Sequence, residues 1–161
     1  MNRLIPAFPL LEEPGDWDAM TLIAATCFLE AEAEPEAGIV GVAWVIRRRA
    51  IDWGAGWHGA ILGKDLQAYH DGRPFEAFSA WNDDYVARAK ARLAAAPEAA
   101  ATQCWRAAAG VLWEMLPDPV GGASFYLNVP LTKKIRGGGL PAWYAESKVT
   151  CTIGRHTFTT G

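Results

Sequence analysis

The stretch "FLEAEAEPEAGIVGVAW", Phe28–Trp44, decides how this chain is read. Four glutamates (Glu30, Glu32, Glu34 and Glu36) fall within seven residues, directly before a run that is apolar on most sides. Between Arg3 and Arg47 there are eight acids and no lysine, arginine or histidine. Like charges crowded in this way cost free energy. Pro35 suits the first position of a helix and Glu36 its first turn. Ile39, Val42, Ala43 and Ile46 then repeat at helical spacing and predict a buried central helix. Upstream, Asp16 or Asp18 can cap an earlier helix, with Met20, Ile23, Ala24, Cys27 and Phe28 as its stripe. The acidic run therefore joins two helices.

Outward from that joint, residues 1–17 read as an irregular lead-in broken by Pro6, Pro9, Pro14 and Gly15. Residues 51–82 are rich in Gly and Trp and read as loop, with a short helix at 57–62. Asp83 or Asp84 caps a third helix that ends before Pro97. Pro97 opens a fourth, with Trp105, Ala108, Ala109, Leu112 and Leu116 inward. "ASFYLNV" and "KVTCTI…HTFTT" are β-type segments, the second folding back at Gly154-Arg155, and the glycine-rich loop "RGGGLPAW" lies between them. The expected fold is α+β: one mainly helical domain over 18–161 with a small C-terminal antiparallel β element.

Composition narrows the function. The 161 residues are 51% hydrophobic and 20% charged with net charge −3, which suits a folded soluble domain of one core. No basic tract offers a footprint for nucleic acid or anionic lipid. The cluster Arg47-Arg48-Arg49 ends a helix, where cations meet the C-terminal dipole. No stretch is long enough for a bilayer, and the run "LIPAFPLL" is broken by two prolines, so neither signal peptide nor membrane insertion is expected. Cys27, Cys104 and Cys151 are scattered and read as thiols of a reducing compartment. His58, His70 and His156 lack the spacing of a metal site, so neither metal nor cofactor is expected. Of eight tryptophans, Trp53, Trp57, Trp81 and Trp143 sit among loop-forming residues, as ligand platforms or as core.

If the first helix extends to Glu34, then at 100° per residue Glu30 and Glu34 fall beside its apolar stripe, while Glu32 and Glu36 face solvent. A half-buried glutamate with other carboxylates near it has a raised pKa. Such an acid, protonated near neutrality, can protonate a glycosidic oxygen. The plainer alternative is a solvated acidic turn.

"TLIAATCFLEAEAEPEAGIVGVAWVIRRR" resembles the opening of the SleB/CwlJ-type cell wall hydrolases: a helix ending Glu-Ala-x-x-Glu-Pro, a Gly three residues later, then an Ala/Val-rich helix. "FSAWND" (78–83), "GGASFY" (121–126), "LPAW" (140–143) and "IGRHTF" (153–158) are similar to further segments of that family, in the same order. Two positions depart from its pattern. Arg48 stands where an Asn is usual, and Ala77 where a Gln often precedes Phe-Ser.

The resemblance implies a lysozyme-like, peptidoglycan-cleaving enzyme acting on glycan strands between N-acetylmuramic acid and N-acetylglucosamine. Glu30 matches the family's catalytic acid, and Glu34 its second motif glutamate, with an orienting or structural role. A substrate-assisted route needs no protein nucleophile, and its outcome is a 1,6-anhydro product (lytic transglycosylase) or hydrolysis (muramidase). Glu32 and Asp83 are spare carboxylates able to hold a water. Ser79 and Trp81 line the glycan groove or form a turn over a buried indole. Trp143 belongs to the matching Pro-x-Trp. Tyr126 bonds substrate or Glu30, or packs. His156 contacts substrate or anchors the hairpin. The absence of an export signal points first to a phage endolysin, expected as a monomer and held in the cytoplasm until a holin-type pore releases it to the periplasm, and second to a secreted bacterial remodelling enzyme. The rival class is a non-catalytic glycan-binding or virion-structural module.

Overall fold

In the computed structural model, which describes residues 7–63, 78–81 and 85–160, Asp18 caps the first helix. Its carboxylate accepts from the Thr21 amide at 2.9 Å. This helix, α1 (Ala19–Ala31), is buried on every side from Thr21 to Leu29. Its buried threonines donate locally, Thr26 to the Leu22 carbonyl at 2.7 Å. The second helix, α2 (Glu36–Asp52), is buried over Gly38–Ala43 and again at Val45, Ile46, Arg49 and Ala50. The helix α2 is buried along its middle as the sequence predicts, and α1 is more enclosed still, because α2 is exposed at both ends, at Glu36, Ala37, Ile51 and Asp52.

The first helix stops short of Glu34. It ends at Ala31 because Pro35 forces the residue before it out of the helical region. Pro35 itself is the N-cap of α2, one position earlier than its preference for N1 suggests. Two short helices extend the framework, α3 (Gly56–Leu62) and α4 (Val86–Ala94), and α5 (Glu98–Leu112) begins after Pro97. The N-cap of α4 is Tyr85, with no side-chain cap bond, rather than Asp83 or Asp84, which lie outside the described residues. The core forms where α1 packs on α5 and α2, with α3 and α4 closing its sides. The lead-in joins it: Trp17 is buried, and Phe8 stacks on Trp105 at 5.6 Å.

The β element is a three-stranded antiparallel sheet in the order β1 (Phe125–Leu127), β3 (His156–Thr159), β2 (Val149–Ile153). Gly154 and Arg155 form the β2–β3 turn as the sequence predicts, with Gly154 at φ +57°. The sheet packs on α2 at Gly41, where a Cβ would stand 2.6 Å from Val120 and 3.0 Å from Phe158. Phe158 is fully buried there, worth roughly 1.5–3 kcal/mol. A sixth helix, α6 (Val129–Ile135), follows β1 where the sequence suggests only loop. Its cap is Asn128, which accepts from the Leu131 amide at 3.0 Å. The fold is mainly helical α+β. Among the described residues no helix is long and apolar enough to cross a membrane.

Candidate active site

Glu30 occupies the last turn of α1, half-buried, where the negative end of the helix dipole opposes a carboxylate. The Tyr126 hydroxyl, from the middle of β1, donates to Glu30 Oε2 at 2.9 Å. Burial raises the Glu30 carboxyl above its ordinary value, and it outweighs the Tyr126 hydrogen bond and the charges of Arg92 and Arg49, which lower it. Burial, and then the Glu30 charge, raise the Tyr126 phenol well above its usual range, so it stays a hydrogen-bond donor. A carboxylic acid tuned upward and held by one oxygen can protonate a leaving group.

The other glutamates are each answered by a cation from elsewhere in the chain or by solvent. Glu34 has a side chain only 2% exposed, and it accepts from both the backbone amide (2.8 Å) and Nε (2.7 Å) of Arg155. Burial pushes this carboxyl up, but the Arg155 bonds and the charges of His156 and Arg155 prevail and hold it below the ordinary value. Gly154 makes the clasp possible, because a Cβ there would come within 1.9 Å of Glu34 Oε2. Glu32 pairs with Arg92 of α4 at 2.8 Å. Glu36 is exposed in the first turn of α2, where a carboxylate is favourable. The acidic run is thus tolerated because α4 and the hairpin turn bring cations to it.

The structure joins some of the other sequence candidates to Glu30 and separates others. The His156 ring lies 4.7 Å from the Tyr126 ring, and burial keeps this histidine below its ordinary pKa against the pull of Glu34. Its Nδ1 is buried with no hydrogen-bond partner among the described residues. Trp143 stacks on Phe125 at 5.0 Å, one residue from Tyr126 along β1. Trp81 is core: it is 5% exposed, meets Trp17 edge-on, and donates its indole N–H to Thr26 at 2.9 Å. Ser79 opens the one-turn 3-10 helix Ser79–Trp81, after Phe78, whose ring is 6.3 Å from Tyr126. Asp83, His70 and Ala77 lie outside the described residues. His58 donates from Nε2 to the Trp17 carbonyl at 2.8 Å, and no group of three or more potential metal ligands occurs among the described residues.

One residue escaped the sequence reading. Arg49 is 4% exposed, donates from Nε to the Ser124 carbonyl at 2.8 Å, and lies within 5.3 Å of the rings of Trp53, Phe78 and Phe125. Burial lowers its pKa to about 10, and electrostatic interaction with Tyr126 and Glu30 opposes the shift. The signal was present: the buried positions Ile39, Val42, Ala43 and Ile46 continue at 49 and 50. Arg48, the departure from the family pattern, pairs with Asp118 at 2.7 Å and donates to the Ala123 carbonyl.

A family model described as cell wall hydrolase matches residues 33–159, which include Glu34, Ser79, Trp81, Tyr126, Trp143 and His156 and begin after Glu30. Neither a curated protein nor a solved structure matches the chain. With most of its length inside that match, the chain belongs to the cell wall hydrolase family, and its role is that of a peptidoglycan hydrolase.

Proposed function

We propose that the protein is a glycosidase that cleaves the bond between N-acetylmuramic acid and N-acetylglucosamine, with Glu30 as its general acid and base. The observation that carries this reading is the half-buried Glu30 carboxyl, raised in pKa and held at one oxygen by Tyr126. Protonated Glu30 delivers its proton to the glycosidic oxygen as the bond to the anomeric carbon breaks. The nucleophile is the substrate's own N-acetyl carbonyl. Glu34 is committed to Arg155 and Glu32 to Arg92, which favours a route needing no second carboxylate. The Glu30 carboxylate then takes a proton from the muramic 6-hydroxyl, giving a 1,6-anhydro end, or from water, giving a reducing end. The resemblance favours the anhydro end.

Purified protein incubated with peptidoglycan tests the reading. Mass spectrometry should find muropeptides with anhydro or reducing muramic ends. Free stem peptides with intact glycan would instead identify an amidase and overturn it.

The same proposal extends to phage-type host lysis by a monomer released through a holin-type pore. The three cysteines are free, which suits folding in a reducing compartment before release. Expression alone should be tolerated, and co-expression of a holin should bring lysis. Lysis without membrane damage would count against this setting.

A further inference from the structure

The Tyr126–Glu30 pair spans two separately built pieces of the fold, the end of α1 and strand β1. Among the described residues, Arg49 of α2 is bonded to the residue before β1 and is close enough to Glu30 for the two charges to interact. Its Nε donates to the Ser124 carbonyl, immediately before β1, and its guanidinium faces Phe125 at 5.2 Å, Phe78 at 5.2 Å and Trp53 at 5.3 Å. Phe78 in turn lies against Tyr126. A buried cation is costly unless its hydrogen bonds and charge are used. Arginine rather than lysine fits, because only a planar fork can donate to a carbonyl while offering a flat face to aromatic rings.

We propose that Arg49 is a positioning residue for the reaction: it holds β1 and the rings beside it so that the Tyr126 hydroxyl meets Glu30. The proposal rests on Glu30 being the acid. At 4% exposure Arg49 is enclosed, so it acts through Tyr126 and Glu30 rather than on substrate. The groups facing Glu30 among the described residues are Arg49 from α2, Arg92 from α4, Tyr126 from β1 and Cys27 from its own helix, with His156 of β3 against the Tyr126 ring.

The test compares Arg49→Gln with Arg49→Lys, each as purified full chain degrading peptidoglycan across a pH range. A general acid works protonated, so activity falls as pH rises through its pKa. Arg49 lowers that pKa, so removing its charge moves the alkaline limb of kcat/KM to higher pH. Arg49→Gln should show that upward shift together with a kcat roughly 10- to 100-fold lower, as expected for a misplaced partner. Arg49→Lys keeps the charge but not the fork, so kcat should fall while the limb rises less than in Arg49→Gln. A purely structural arginine would lower the melting temperature of both variants with the limb unmoved, and that result overturns the proposal. Should Arg49→Gln not fold, wild-type kcat in Arg49→Lys overturns it equally. Glu30→Gln serves as the control: activity in that variant removes the Glu30 reading and this inference together. Inactivity there, beside a folded Arg49→Gln of wild-type kcat and pH limb, removes only the inference.

Discussion

Tyr126 donates its hydroxyl to Glu30 at 2.9 Å across 96 residues of sequence, and so ties the small sheet to the most buried helix of the fold. Replacing Tyr126 by Phe removes one hydrogen bond and nothing else of size. Because that bond lowers the Glu30 pKa, its loss should raise the value further and carry the alkaline limb of the activity profile upward. The stability cost should be about 1 kcal/mol. A pH–rate profile beside a thermal melt checks both, and an unmoved limb would detach Tyr126 from the acid.

Glu30→Gln preserves volume and shape but cannot transfer a proton. Peptidoglycan clearing should fall by roughly 10² to 10⁴ or more. Circular dichroism should stay that of the wild type. A variant that still clears the wall would move the chemistry to another carboxylate.

How much of this was legible in sequence depended on range. Local signals fixed the helix starts at Asp18 and Pro97 and the turn at Gly154-Arg155, because caps, prolines and left-handed glycines act within a few residues. Pro35 announced the acidic joint, yet it also stopped α1 at Ala31 and so removed Glu34 from the helix face on which helical spacing had set it. Helix α6 was missed although Asn128 and Pro130 are start signals, because its seven residues bury none of their side chains and so leave no apolar stripe. The cations that make the acidic run tolerable were invisible for a different reason. Arg92 and Arg155 lie 60 and 121 residues from the glutamates they meet. Only Arg49 could have been found, by following the buried stripe of α2 one turn further.

The Glu34 clasp should be a matter of stability more than of catalysis. Glu34→Gln keeps the volume but loses a buried charge-assisted interaction, which should cost roughly 1.5–3 kcal/mol. Gly154→Ala should be the more damaging change. It places a side chain at φ +57°, a strain of about 1–2 kcal/mol, and drives a methyl into Glu34. Thermal melts of the two variants measure this directly. If Glu34→Gln loses more activity than Glu30→Gln while melting like the wild type, the assignment of Glu30 as the acid is wrong.

The pH dependence of stability should carry the same division of labour. Glu30 has a folded pKa above its ordinary value of 4.5, so the folded state binds its proton more tightly than the unfolded chain does. Stability must then fall as pH rises from 4.5 through the raised value, and be regained as pH falls through that window. Glu34 and Asp118 act in the opposite sense. Burial raises both, but for Glu34 the Arg155 hydrogen bonds prevail. For Asp118 the amides of Val120 and Gly122 and the Arg48 guanidinium prevail, so both folded values lie below the ordinary 4.5 and 3.8. Their contributions are complete above those ordinary values and are lost as pH falls through the folded ones. His156, which burial holds below its ordinary 6.5, costs stability as pH falls below that value, so in a His156→Gln background melting temperature should rise on mild acidification and drop steeply below about pH 4. With Glu30→Gln added, the mild-acid rise should vanish while the steep drop stays. With Asp118→Asn or Glu34→Gln added instead, the drop should become shallower while the rise persists. A Glu30→Gln protein that keeps the rise would show that another group titrates there, and that burial of Glu30 does not oppose its ionisation.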